Sequence, residues 1–340
     1  MENGKTIKGL LDAEPLSDGD FLAVNQPTAA NLITQQPGDT RRVTVKQLED
    51  YAVAEVKAGI KTDFGILNSH ADMVDGMGRN LLDVLGVSTI PEAAAEIRRR
   101  CNNNGEIDST KTPGFRGIMI GDYIDGLDLS GIAAPANGTA PQAWNDAYKN
   151  NRIVVSGFNT YKDSGPTEND KNHILFTFRN IIAKGRMNSG WTNAGGYTAS
   201  ELRVWLEGAD GDGSGAFAAA LKAALGGDYL YTLSKGHSRK GGYEINNYTV
   251  WPPTELEVFG YQTHGDEANY TNTNVQFPIY RMSTVHRVKR HNGTRLYYWE
   301  STPSASSSTS FCMVHTSGAA FNGTNADYTG GGVSPAFCVA

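Results

Sequence analysis

The sequence predicts an α+β protein, and three observations carry that prediction. From about Gly114 onward, short apolar and aromatic runs alternate with Gly, Asn and Ser turns, the pattern of many short strands. Two helical stretches interrupt those runs, which points away from a sandwich or a doubly wound sheet. Glycine is abundant, at 39 of 340 residues, while charged residues make up only 19%, so turns and loops occupy much of the chain.

Residues 1–58 read as a small N-terminal unit. Phe21 to Gln26 (FLAVNQ) alternates as a strand, Gln36-Pro37-Gly38 marks a turn, and RRVTVKQLEDYAVAEVKAG reads as a strand leading into a helix. That helix is expected to start at Thr44 or Val45 and to stop at Gly59. A unit this size buries little apolar surface alone, so it is expected to lean on a partner chain.

Residues 59–113 read as a helical connector or oligomerisation segment. Leu81, Leu82, Val84 and Leu85 form one short apolar face. Thr89 is placed to cap a helix that carries Pro91 and Glu92 in its first turn and runs out at Asn102 to Gly105. No sustained heptad supports a long coiled coil.

Residues 114–340 form the strand-rich domain. GIMIGDYID, RIVVSGFNTY, HILFTFRNIIA, YLYTLS, TVWPPTELEVFGY, FPIYRM and RLYYWES are the expected strands. The helices are Thr198 to Leu206, burying Leu202, Trp205 and Leu206, and Gly215 to Leu225, stopped by Gly226-Gly227.

A net charge of −6 with no concentrated basic surface argues against nucleic acid as a partner. The basic run Arg287 to Arg295 is expected along a solvated hairpin. No stretch is long and apolar enough to span a bilayer, and the first residues do not read as a signal peptide. Synthesis in a cytoplasm is expected, with release by lysis or as part of a particle. Three cysteines make no disulfide framework; Cys312 and Cys338 read as buried thiols on nearby strands, and Cys101 has no partner at metal-ligand spacing.

Tyr297 to Ala340 differs from everything before it. An aromatic start (Tyr297, Tyr298, Trp299) and an apolar end (Val333, Pro335, Ala336, Phe337) enclose a run of Ser, Thr, Asn, Gly, Asp and Tyr. Small hydroxyl and amide groups supply adaptable hydrogen bonds, and Tyr and His supply contact area, as in a recognition surface. The candidate ligand-binding residues are Tyr297, Trp299, Ser301, Ser304, Ser306, Ser308, Thr309, His315, Asn322, Asn325 and Tyr328. Alternation through FCMVHTS leaves His315 half-buried, and Trp299 reads as a core anchor with its ring edge near the site.

The ordered series IGDYID (Ile120 to Asp125), VSGFNTY (Val155 to Tyr161), Asn172-His173-Ile174, MNSGWTNAGGYTASELRVWL (Met187 to Leu206), VWPPTELEVFGY (Val250 to Tyr261), YYWESTPS (Tyr297 to Ser304) and GVSPAFCVA (Gly332 to Ala340) resembles the C-terminal domain of phage tail and adhesin proteins with a C-type-lectin-like fold. LLDAEPLSDGDFLAVNQ followed by DTRRVTVKQLEDYA is similar to the start of many phage fibres. The resemblance implies small antiparallel sheets, a loop-rich binding face and a virion protein. It implies a homotrimer attached to other tail or baseplate proteins through residues 1–58, with a host-cell surface receptor, protein or glycan, as partner. Some relatives are variable proteins of diversity-generating retroelements. The residue types between Trp299 and Val333 are largely those reached from Asn codons by changing adenines.

No cofactor, metal or catalytic group is expected. The single Trp-Asn-Asp (Trp144 to Asp146) precedes the fold's core, and Asp210-Gly211-Asp212-Gly213 lacks the downstream bidentate Glu of a calcium loop. Glu255, Glu257, Asp266 and Glu267 could converge for glycoside cleavage, but read as solvated loop charges. The expectation is therefore a non-enzymatic receptor-binding protein, with a structural virion decoration (collar or baseplate) or a glycan-cleaving tail enzyme as the alternatives.

Overall fold

A computed structural model describes residues 21–25, 40–44, 78–102, 115, 117–164, 169–239, 242–266 and 275–340. The chain divides into two compact units, Met1–Gly76 and Met77–Ala340. In the first, β1 (Phe21–Asn25) and β2 (Thr40–Thr44) pair antiparallel, Phe21 opposite Thr44. The helix expected from Thr44 or Val45 to Gly59 lies outside the described residues.

The second unit begins well before Gly114. Its first helix, α1 (Leu81–Leu85), starts where the Asn80 side chain accepts the Leu82 N–H and stops at Gly86 in the left-handed region. In α2 (Ile90–Asn102) the Glu92 carboxylate accepts the N–H groups of Ser88 and Thr89, while Thr89 Oγ1 accepts the Glu92 N–H. Ala93, Ala94, Ile97 and Cys101 form its buried face, and α2 packs on the C-terminal strand. The helix expected as a connector or stalk is thus a core element of the C-terminal unit.

Next come β3 (Tyr123–Ile124), β4 (Ile153–Phe158), β5 (Ile174–Phe178) and β6 (Ala183–Lys184). A 3-10 turn at Tyr197–Ala199 leads into α3 (Glu201–Glu207), capped by the Ser200 side chain on the Arg203 N–H, and then α4 (Ala216–Ala224). Leu202 and Leu206 are buried as expected, and Trp205 is half-buried with its indole N–H on the Ala133 carbonyl. A hairpin, β7 (Leu233–Arg239) and β8 (Gly242–Tyr248), precedes β9 (Val250–Trp251).

Two expected strands are helical. TELEVFGY forms α5 (Glu255–Phe259), closed by a full capping box between Thr254 and Glu257. FPIYRM forms α6 (Pro278–Met282), with Pro278 in the first turn where a missing N–H costs nothing. The strand expected over 117–125 shrinks to β3.

The basic run folds as the expected hairpin, β10 (Arg290–His291) and β11 (Thr294–Arg295), turning at Asn292 and Gly293 with φ of 49° and 81°. Lys289 departs from that expectation. It is buried, its ammonium donates to the Phe178 carbonyl, and burial drives its pKa well down. The chain ends with β12 (Tyr298–Pro303), β13 (Ser310–Val314), β14 (Ala320–Asn325), β15 (Gly332–Val333) and β16 (Ala336–Val339).

These strands build two five-stranded sheets. The first, β3-β4-β5-β16-β9, is antiparallel throughout. Every residue of β5 and β16 is buried, as expected for apolar strands covered on both faces. The second, β14-β13-β12-β15-β6, is antiparallel except for the β12–β15 pair. Since β15 lies in one sheet and β16 in the other, Gly332 to Val339 ties the two together.

Candidate functional site

The outer edge of the second sheet collects most of the sequence-predicted polar residues. The loop 304–309 joins β12 to β13, and β14 pairs with β13 so that Ser310 faces Asn325. Gly323 makes the register possible: it has a φ of 88°, and a Cβ there would meet the Phe311 carbonyl oxygen. The ladder slips there, between Phe311 and Met313, as a bulge requires.

Within this edge the side chains hydrogen-bond to one another. Ser304 Oγ donates to Asn322 Oδ1 at 2.8 Å, and Asn322 Nδ2 donates to Ser306 Oγ at 3.1 Å. Thr309 Oγ1 donates to Asn325 Oδ1 at 3.0 Å, and Ser307 Oγ lies 3.0 Å from Thr309 Oγ1. Ser306, Ser308 and Asn322 are exposed, and Thr309 and Asn325 half-buried.

Asn193, which no local pattern singles out, fixes this loop from beneath. Its backbone N–H donates to the Ser308 carbonyl at 2.9 Å, and its Nδ2 donates to the carbonyls of Ser307 and Ser310 at 2.8 Å each. Asn193 is itself buried. The polar loop is thereby held through its backbone carbonyls, which leaves its side chains to bond one another and solvent.

The remaining predicted residues separate into three groups. At the opposite end of the β13–β14 pair, Tyr297 packs its ring against His315, with centroids 4.7 Å apart, and against Phe321 at 5.1 Å. His315 is half-buried as expected, with Nδ1 2.8 Å from Ser317 Oγ. Trp299, Ser301 and Ser304 are fully buried, which corrects their reading as contact residues. Trp299 donates its indole N–H to the Gly185 carbonyl at 2.7 Å, as a core anchor would, and its ring lies edge-on to Tyr328.

Tyr328 is 47% exposed, in the turn after β14. Trp191, 66% exposed, donates its indole N–H to the Asp327 carboxylate and adds a second aromatic surface beside it. A lone Trp between Ser-Gly and Thr-Asn has no apolar periodicity to join, and that isolation was its sequence signal. Tyr328 also borders a concavity of about 340 Å³ lined by Lys184, His291, Thr294, Leu296, Tyr328 and Gly330. Burial, then the neighbouring Lys184 charge, lowers the His291 pKa.

Two of the four acidic residues weighed for glycoside cleavage, Glu255 and Glu257, are structural. Glu255 and Glu257 are fully buried, which overturns their reading as solvated loop charges. Glu257 Oε1 accepts from Tyr161 Oη at 2.6 Å and from the buried Lys235 ammonium. Its Oε2 accepts from Trp251 Nε1 at 3.1 Å and from the Thr254 N–H at 2.9 Å. Glu255 accepts the N–H groups of Thr263, His264 and Gly265. Glu267 lies outside the described residues. Donor atoms of Glu255, Glu300 and Cys312 fall within 4.8 Å of one another, the grouping of metal-ligand types found among the described residues. The three amides on Glu255 already direct its oxygens to the 263–265 loop. Asp212 accepts the Ser214 N–H in a local turn.

No helix among the described residues is long and apolar enough to cross a membrane. No curated protein and no solved structure matches this chain. A family model described as a domain of unknown function, DUF6273, matches residues 171–340. That span holds all five strands of the second sheet and β5, β9 and β16 of the first. Covering half of the sequence, it places the chain in the DUF6273 family.

Proposed function

We propose that this chain is a non-enzymatic, receptor-binding virion protein of the phage tail-fibre type, whose C-terminal unit is a C-type-lectin-like domain. In this reading residues 1–58 attach the protein to other tail or baseplate proteins. Three copies assemble, so that avidity multiplies weak single-site contacts with a host-cell surface receptor. One observation carries the reading: Ser306, Ser308, Thr309, Asn322 and Asn325 share one edge of a sheet whose interior strands are buried. Short polar groups on rigid backbone make good contact surface and poor core. The residues on this edge reach solvent while the framework is fixed by Asn193 and the β13–β14 ladder, so they are suited to variation of the retroelement kind.

The test is attachment by the full-length protein. A variant carrying Ser306→Ala, Ser308→Ala and Tyr328→Ala is expected to lose most binding to host cells. Its thermal unfolding should shift little, since each change at an exposed site is worth about 0.5 kcal/mol or less. Wild-type attachment by this variant would remove the site assignment.

A further inference from the structure

The concavity beside Tyr328 has a different chemistry from the Ser/Asn edge. It is bounded by Lys184 of β6, His291 and Thr294 of the β10–β11 hairpin, Leu296, and the turn carrying Tyr328 and Gly330. None of these six residues is acidic. Among the described residues the Lys184 ammonium makes no ion pair or hydrogen bond, and Asp327, the acid next to Tyr328, accepts the Trp191 indole N–H and does not line the concavity. Lys184 is half-buried and lines the cavity.

The wall beside the aromatic ring is built by glycine. A Cβ at Gly330 would fall 2.4 Å from Tyr328 Oη, and one at Gly331 would fall 2.2 Å from Trp299 Nε1. The Thr-Gly-Gly-Gly run therefore lets the backbone pass directly over Trp299 and Tyr328. Tyr328 remains 47% exposed and lines the same cavity as Lys184.

We infer that this pocket binds a carboxylate-bearing sugar, with Lys184 on the carboxylate, Tyr328 against the ring face, and Thr294 and His291 on ring hydroxyls. A pocket of about 340 Å³ sits at the small end of ligand sites, which suits one or two sugar rings and exceeds what a bare anion fills. An aromatic face beside polar groups suits a ring with an apolar side and a hydroxylated rim. Lysine acts as a point charge and does not by itself distinguish carboxylate from phosphate, so the sugar ring must supply that selectivity. The inference rests on the receptor-binding reading, because it names the class of ligand for Tyr328, a residue of that proposed surface.

The experiment is a titration of the full-length protein with methyl glucuronide, methyl glucoside and inorganic phosphate, followed by calorimetry or ligand-observed NMR. Methyl glucuronide is expected to bind, with methyl glucoside and phosphate each weaker by about tenfold or more, the scale of one charge-assisted hydrogen bond. Lys184→Ala should remove the preference for glucuronide over glucoside, and Tyr328→Ala should weaken both sugars. Equal binding of glucuronide and glucoside, binding of phosphate as strong as glucuronide, or no binding of glucuronide would each overturn the inference. Host-cell attachment measured on the same preparation separates the two claims. Absent glucuronide binding with attachment intact sinks only the ligand class, whereas glucuronide binding without attachment sinks the receptor reading and leaves the pocket.

Discussion

The two five-stranded sheets differ in what their central strands contain. In the first, β5 (ILFTF) and β16 (AFCV) are buried throughout, Phe176 stacks on Phe337, and Phe178 packs on Phe217. In the second, β12 (YWESTP) is equally buried yet carries Glu300, Ser301 and Thr302, and its outer strand β14 is half-open to solvent. Apolar strands gain stability with every buried methylene, whereas a buried polar strand only breaks even if each group finds a partner. The first sheet is a framework, and the second gives up part of that stability to display a polar edge.

Helix α5 joins them, and the largest expected effect lies there. Glu257 faces the first sheet through Trp251 and the Lys235 ammonium, which sits over the rings of Tyr161, Tyr248 and Trp251 at 5.4, 5.1 and 4.8 Å. Two residues earlier, the Glu255 N–H donates to Thr302 of β12 in the second. Glu257→Ala removes the acceptor of four donors and leaves a cation with 0% exposure beside no counter-charge. A loss of about 3–5 kcal/mol in denaturant unfolding is expected, the usual penalty for breaking a buried pair. A loss under about 1 kcal/mol would mean that the framework does not depend on this charge, since that is the range of an exposed pair.

An effect of intermediate size follows from His173, next to β5. It is buried, its Nε2 accepts the Tyr161 N–H at 3.2 Å, and its Nδ1 lies 3.0 Å from the Lys171 carbonyl, so the neutral ring is the form that fits. Burial lowers its pKa from 6.5 to about 4. Between those values the unfolded chain binds a proton that the folded chain refuses, so stability falls as pH falls through this window. The loss is roughly 3 kcal/mol at about 1.4 kcal/mol per pKa unit. His286, lowered to about 3 by burial, acts with the same sign. Glu207, raised to about 7 by burial, acts with the opposite sign, because its folded form holds the proton longer as pH rises. The difference in unfolding free energy between wild type and His173→Gln, measured from pH 7 to 4, isolates the histidine. It is expected to shift in favour of the variant as pH drops, and a flat difference would refute the assignment.

The framework was the more legible of the two sheets in the sequence. Continuous apolar runs such as ILFTF and AFCV announce buried strands, and β4, β5 and β16 of the first sheet form where such runs occur. The errors fall where a local rule was overridden or overlooked. Thr254 and Glu257 spell a capping box, yet the aromatic and β-branched neighbours suggested a strand. Lys235, Glu257 and Lys289 are buried because partners distant in sequence surround them, and nothing adjacent to a charged residue reports that. In the site, Trp299 is the core anchor its pattern suggested, and composition located the Ser/Asn edge but misplaced Ser301 and Ser304. Alternation could not sort them, because the β12–β13 register shifts between Trp299 and Pro303. Asn193 and Lys184 reach the site from more than a hundred residues upstream, beyond the range of any local pattern.

The smallest expected effect sharpens the contrast most. Ser306 and Asn322 bond to each other on the exposed edge, with Asn322 Nδ2 to Ser306 Oγ at 3.1 Å and Ser306 Oγ to Asn322 Oδ1 at 3.2 Å. Water can replace either partner of this exposed contact, and the bond from the buried Ser304 Oγ to Asn322 Oδ1 is lost in both the Asn322→Ala and the double variant, so it cancels from the cycle. The double-mutant cycle of Ser306→Ala and Asn322→Ala is therefore expected to give a coupling of about 0.5 kcal/mol or less in unfolding. A coupling above about 1.5 kcal/mol would mean that the pair holds β14 to the 304–309 loop as structure, because exposed hydrogen bonds rarely reach that size. In that case the edge could not change its side chains freely, and the division between a framework sheet and a displaying sheet would fail at the residues on which it depends.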